Sequence, residues 1–395
     1  MRRIRSTTIG VLASALLATS LAGCQFGDSA DGEAVAGEIV IAADLELSGA
    51  LAPVGTAYQR ALELKAEQIN LSGVLGDRRV RLDVKDNRSD PSESSRNISD
   101  FTSNPSVSAV IMGSCNECAI NAAKTIDERR VPAIALAPAS QGATPADQRR
   151  YMFKLAPNAE DSAAALVAEL RDLKIKRVAL LHTDDAYGLE GVAAMTSQLE
   201  KANIQLRQVE SVKVTDTDLG QAVASATEIR TDALILWTSA EQAMSAAENA
   251  REAEYTGRIY FDAAAAGDLF LEGARSSDNL HLLFTQTMVI DDVIATNPAK
   301  AARKQWFRDY TARYGGYYGF SSFAADALQL LVNAATGSAT VDEPTNRDGL
   351  RDLLETSQMD GLSGPIRMTP DNHSGLMPQA LTMLVSRGGR WRLAG

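Results

Sequence analysis

From Glu38 onward the chain alternates short apolar runs with amphipathic stretches of helical period, and it does so twice over. Ile39–Leu45 (IVIAADL) is almost continuously apolar, as a strand buried on both faces of a parallel sheet must be. Tyr58, Ala61, Leu62 and Ile69 then recur at helical spacing, and the stretch from Asn70 to Gly76 carries stop and turn residues. Arg79–Lys85 sets Val80, Leu82 and Val84 between charges, the pattern of a half-exposed strand. Ser108–Gly113 predicts a buried strand, Ala119–Arg129 a helix and Val131–Ala137 another strand. The rhythm restarts near residue 160. Strands are expected at Arg177–Thr183, Ile204–Val212, Ala233–Trp237, Arg258–Phe261 and Leu280–Phe284. Helices are expected between them at Asp161–Leu173, Leu189–Ala202, Asp218–Ile229 and Ala240–Ala253. Two successive series of this kind predict an α/β fold with two doubly wound parallel sheets. Such sheets bind ligands outside the carboxyl ends of their strands. Two of them facing each other make a cleft, so the binding residues are sought at strand-to-helix turns of both halves.

The N-terminus reads differently. Met1–Arg5 is basic, and Thr7–Leu21 is an uncharged run too short for a confident membrane span. It ends in Leu21-Ala22-Gly23-Cys24, which looks like a bacterial lipobox with Cys24 as the lipidated residue. Residues 1–23 are therefore expected to be a lipoprotein signal peptide. Residues 24–37, small, polar and acidic after the cysteine, are expected to be a flexible tether. The expected location is the outer face of the cell membrane, held by lipid rather than by a spanning helix. The full chain carries a net charge of −11, and loss of the signal's three arginines takes this to about −14. That balance argues against a nucleic-acid partner, which needs a basic footprint. About 358 residues remain beyond the tether, enough for two domains.

Catalytic signatures do not accompany this fold pattern. His182, His281 and His373 are the histidines, and no Gly-x-Ser-x-Gly elbow, Gly-rich phosphate loop or His-Glu-x-x-His occurs. No enzyme activity, cofactor or metal is expected. Cys115 and Cys118 stand as a single C-x-x-C pair. In an exported chain they can form a local disulfide or stay as buried thiols; redox chemistry is the weaker reading, and no second pair completes a zinc site.

Several segments, in order, give a more specific picture. They include Leu47-Ser48-Gly49 with Gly55, Lys85-Asp86-Asn87 with Asp90-Pro91, Met112-Gly113-Ser114, Val131-Pro132-Ala133-Ile134 and Asp184-Asp185-Ala186-Tyr187-Gly188. Tyr310–Gly316, Ala325-Asp326-Ala327 and Gly361–Met368 follow. With these the chain resembles the leucine/isoleucine/valine-binding protein family, the type I periplasmic binding proteins that serve ABC importers. The resemblance implies two lobes joined by a three-strand hinge, with residues 38–157 plus 284–358 in the first and 158–283 plus 359–395 in the second. It implies a monomer that closes on an amino-acid-like ligand and then docks on permease subunits; a sensor lobe for a membrane signalling partner is the alternative. Ser48 falls in the first loop. Ser114, Cys115 and Asn116 fall in the turn whose amides and hydroxyls receive the ligand's carboxylate in such relatives, because a helix N-terminus favours an anion. At position 117 the family usually has Ser or Thr, and this chain has Glu117, which competes with an anionic group, binds a cationic one, or stands as a plain charge at the helix start facing solvent. Ala139 and Ser140 are expected to offer a carbonyl and a hydroxyl. In the second lobe Tyr187 and Trp237 are expected as aromatic walls and Asp262, with Asp268 behind it, as the partner of an ammonium. The family's first-loop aromatic is absent near Val54, which departs from a branched-chain amino-acid site.

Overall fold

The computed structural model describes residues 37–266, 280–338, 346–388 and 390–394. Cys24, the tether and Asp268 lie outside the described residues. The first sheet is five-stranded, in the order β2-β1-β3-β4-β5, with all neighbours parallel. Its strands are β1 (Glu38–Leu45), β2 (Arg79–Asp86), β3 (Val107–Met112), β4 (Ala133–Ala135) and β5 (Met152–Lys154). Every residue of β1 from Ile39 to Leu45 is buried, because α1 (Ala52–Leu71) covers one face and α2 (Pro91–Ser103) and α3 (Asn116–Arg129) the other. Even Asp44 is buried, held by Ser94, Asn97 and Asn87. The helix starts are written locally: Asp90 accepts the amides of Ser92 and Glu93, and Pro91 follows where a missing N–H costs nothing.

The second sheet is seven-stranded, in the order β14-β13-β10-β9-β8-β6-β7. It contains β6 (Arg177–Thr183), β7 (Gln205–Val212), β8 (Ala233–Trp237), β9 (Arg258–Phe261), β10 (Leu280–Thr285), β13 (Leu381–Arg387) and β14 (Arg390–Leu393). Helices α4 (Ala159–Asp172), α5 (Ala186–Lys201), α6 (Gly220–Glu228) and α7 (Ala240–Glu252) alternate with its strands. The expectation of a wholly parallel sheet is corrected at one edge. β13 runs antiparallel to β10 and β14 antiparallel to β13, because the chain re-enters this half by a hairpin rather than through a helix. Gly388, at φ +58°, supplies a left-handed position in the hairpin turn.

Three crossings join the halves. The first follows β5, and the second follows β10 and leads to α8 (Pro298–Tyr314), α9 (Ser321–Ser338) and α10 (Arg347–Leu354). α8 and α9 pack on α1, and α10 packs on α9. The third follows a small hairpin of β11 (Gln358–Asp360) and β12 (Pro365–Arg367). The first and third crossings lie side by side: the Lys154 amide donates to the His373 carbonyl and the Gly375 amide to the Lys154 carbonyl, both at 2.9 Å. The buried Lys154 ammonium donates to the carbonyls of Ala156 and Pro157 and to Asn158 Oδ1 at 2.9–3.0 Å. Burial pulls its pKa down to about 7.

Candidate functional site

The turns after β3 and β4 in the first half meet the start of α5, after β6, in the second. Two side-chain clasps hold the meeting. Asn116, at the start of α3, accepts the Ala139 amide at 2.9 Å and donates its Nδ2 to Asp185 Oδ2 at 3.1 Å. Asp185 is the N-cap of α5: its Oδ1 accepts the Gly188 amide at 3.0 Å and the Thr183 hydroxyl at 2.7 Å. The second clasp is Ser140, whose amide (2.9 Å) and hydroxyl (2.9 Å) both donate to the Glu190 carboxylate on α5.

The turn after β3 is the one expected to receive a ligand's carboxylate. A carboxylate already sits there, and it belongs to Glu46. That side chain is fully buried and accepts the Ser114 amide at 3.1 Å and the Cys115 amide at 3.0 Å. Asn87 leans on it from the other side at 3.4 Å. Burial raises the Glu46 pKa, against the pull of the Cys115 and Ser114 amides. Gly113 is required here, since a Cβ at that position would come within 2.1 Å of Glu46 Oε2. Cys115 and Cys118 form a disulfide inside the first turn of α3, so the Cys115 sulfur is spent on structure. Ser114 Oγ is buried with no hydrogen-bond partner. Ser48 stands further out, its hydroxyl donating to Asp86 Oδ2 at 2.7 Å, which pins the first loop to the end of β2.

In the second half, the wall role expected of Trp237 does not fit its position. It is 0% exposed, and its indole edge lies against α5, where a Cβ on Gly191 would be 2.4 Å from Nε1. Tyr187 is buried beside it, with ring centroids 5.7 Å apart, so both aromatics belong to the apolar core beneath α5. A side chain at the end of a strand has two faces to choose from, and period alone does not say which one looks into a cleft. Asp262, just past β9, is also 0% exposed. Its Oδ2 accepts the Ala264 amide at 3.2 Å, while its Oδ1 has no hydrogen-bond partner. Burial drives its pKa well above the carboxylate range, against the Ala264 and Thr238 amides, and Asp185 adds to the rise. Glu117 is exposed on the first turn of α3, and its pKa is also raised, by partial burial and then by the charge of Asp185 across the junction.

Sequence reasoning did not single out Glu46 or Glu190. Glu46 had one available sign: an acid directly after a strand as apolar as β1 must be paired when buried. Glu190 had none, because its partner lies 50 positions away. Among the described residues no group of three or more His, Cys, Asp or Glu could hold a metal ion, and no helix is long and apolar enough to cross a membrane.

Comparisons with known proteins agree with this architecture. An extracellular ligand-binding receptor from Rhodopseudomonas palustris HaA2 superposes with a TM-score of 0.81 at 23% identity, over 90% of this chain and 99% of that one. The leucine binding protein LivK from Thermotoga maritima gives 0.78 at 18% identity, over 90% and 98%. The branched-chain amino acid transporter substrate binding protein LivJ from Streptococcus pneumoniae, in complex with isoleucine, gives 0.75 at 21%, over 90% and 98%. These likenesses establish the fold. An amino acid binding protein from Pseudomonas aeruginosa is 25% identical over 171 residues, which span 42% of this chain and only 45% of the relative. The family described as Periplasmic binding protein matches residues 38–389, and the chain belongs to that family of extracytoplasmic ligand-binding proteins.

Proposed function

We propose that this chain is the capture component of an ABC importer. Its ligand is a small polar molecule, an amino acid or a related amide or amine, held between two lobes that close by hinge motion. A lipid on Cys24 keeps it at the outer face of the membrane, and the closed form docks on the permease. The observation that carries this reading is the junction itself. Strand-end turns of two separate sheets come face to face at Asn116–Asp185 and Ser140–Glu190, beside three crossings that can act as a hinge. Only a closed form offers both half-sites at once, so a ligand that bridges them shifts the population towards closure.

A thermal-shift screen of the purified protein against amino acids, amides, amines and small acids tests capture, since binding raises apparent stability by mass action. A hit should also reduce the radius of gyration in solution scattering. A panel with no hit, or binding without compaction, counts against hinge capture. Transport is tested separately, by loss of uptake of the identified ligand when the gene is deleted and by loss of membrane retention in Cys24→Ser.

A further inference from the structure

Three large apolar side chains among the described residues are more than two-thirds exposed, and two of them stand on one connection, Leu71 at 79% and Val74 at 70%. Apolar side chains scattered singly over a surface need no explanation; two held out three residues apart do. The connection from α1 to β2 is built so that it does not fold them inward. Asn70 donates to the Val80 carbonyl at 3.0 Å and accepts the Val80 amide at 2.8 Å, which ties the two ends together. Between them the Gly76 amide donates to the Gly73 carbonyl and the Arg78 amide to the Leu75 carbonyl, both at 3.2 Å. Gly73 at φ +72° and Gly76 at φ +60° take the left-handed positions of these turns. Of the three apolar side chains only Leu75 turns in and is buried.

The place of this loop names its partner. Gly37, the first described residue, is bound to it: the Gly37 carbonyl accepts the Arg79 amide at 3.0 Å. With Cys24 lipidated, residues 25–36 are all the chain that separates Gly37 from the lipid. A tether of that length and composition has a root-mean-square span of about 20 Å. It therefore presents the bilayer to the loop at high effective concentration, where a weak contact suffices. The loop also carries Arg78 and Arg79, which make no ion pair among the described residues; Glu38, at the same edge, takes Arg81 at 2.9 Å instead. Asp77 is the loop's one acid, so the loop is locally basic on a chain whose net charge is −11. Exposed apolar side chains beside arginines suit the headgroup region of a bilayer, where the apolar groups leave water and the guanidinium groups meet anionic lipid.

We infer that the Leu71–Arg79 loop is a membrane contact, in which Leu71 and Val74 enter the headgroup region of the bilayer and Arg78 and Arg79 meet its anionic lipids. This rests on the Cys24 lipid of the reading above and adds an orientation to it. A tether fixes distance from the membrane and leaves orientation free; a second contact beside its exit fixes both. α1 ends, and β1 and β2 begin, at this edge of the first sheet, whereas the turns after β3 and β4 lie at the opposite edge. The eight residues of β1 put about 25 Å between the two edges. The loop therefore seats the first half on the bilayer and holds its strand-end turns away from the lipid, open to solvent.

The test uses the full chain, processed in a lipoprotein-competent host and reconstituted into vesicles of phosphatidylcholine and phosphatidylglycerol that carry a doxyl-labelled lipid. An NBD fluorophore is attached at Val74→Cys and, in a second sample, at Leu189→Cys, a position 57% exposed on α5 of the other half. Quenching by the doxyl lipid is expected to be at least threefold stronger at position 74 than at position 189. Leu71→Ser with Arg78→Glu and Arg79→Glu, added to the Val74→Cys chain, is expected to lower it to the level of position 189 with the melting temperature unmoved. Equal quenching at the two positions, in a chain that floats with the vesicles, overturns this inference and leaves the lipid anchor standing. Quenching at position 74 that survives the triple change also overturns it, since the fluorophore then makes the contact by itself. A fluorophore at position 74 shielded from water but not quenched, in particles of twice the mass, makes the loop a self-association face and overturns it too. A chain that does not float with the vesicles removes the Cys24 anchor, and this inference with it, and leaves ligand capture untouched.

Discussion

The two strand-end rims that meet at the junction are built on the same βα plan and carry opposite chemistry. In the first lobe the rim is a row of donors: amides at Ser114, Cys115 and Ser140 and the hydroxyl of Ser140. In the second it is a row of acceptors: Asp185, Glu190 and Asp262. The donors are exhausted by the protein's own carboxylates, one from within the lobe and one from across the junction. Backbone geometry makes a helix N-terminus attractive to an anion, but which anion sits there is a matter of side chains. Here the residue after β1 decides it: Glu46 takes the Ser114 and Cys115 amides at the start of α3.

Glu46→Ala should break this contrast most strongly. It leaves two buried amides unpaired and opens a cavity, at a cost of about 3 kcal/mol or more. The loss should appear as a lower midpoint in chemical denaturation. The same variant should gain affinity for small carboxylates, measured by calorimetry, because its freed amides are an anion site. A variant as stable as the parent would mean that Glu46 is not what satisfies the turn.

Asp262→Asn is expected to act in the opposite direction on stability. The folded-state pKa of Asp262 lies above the ordinary value of 3.8. Between the two values the folded protein holds a proton that the unfolded chain has lost, so this group's contribution falls as pH rises from about 4 towards neutrality. Asn carries no such dependence. The variant should therefore gain stability over the parent at pH 7 and less at pH 4. Denaturation at the two pH values checks it; a gain that grows on acidification would reverse the sign and the argument.

Most of the scaffold was legible in the residues and little of the site was. β6, β8 and β9 begin and end where their apolar runs do, because strands buried on both faces have no alternative composition. β13 and β14 were not legible, since the half-exposed segment Leu381–Arg387 becomes a strand only by pairing with β10, about a hundred residues earlier. Trp237 was placed at the right strand end and on the wrong face. Asn116 and Ser140 were found at the junction, yet their partners, Asp185 and Glu190, belong to a different lobe. A hydrogen bond between residues so distant leaves no local pattern. Glu117 was visible as a departure because it replaced a hydroxyl that the family usually offers there.

Ser140→Ala should have the smallest effect, and it is the sharpest probe of the clasps. The change removes the hydroxyl donated to Glu190 at 2.9 Å but keeps the amide donated to the same carboxylate. A single hydrogen bond to a charged group contributes about 1.5–3 kcal/mol, and the surviving amide and solvent recover part of it. The loss is therefore expected at or below about 1 kcal/mol. What matters is where it falls. Glu190 and Ser140 stand on different lobes, so the bond contributes to closure and not to the core of either half. Ser140→Ala should leave the denaturation midpoint nearly unmoved and shift the scattering profile towards the open form. It should weaken a bridging ligand by no more than the same margin. If the midpoint drops and the open population does not grow, Ser140 serves the packing of its own lobe, and the junction is held by Asn116 and Asp185 instead.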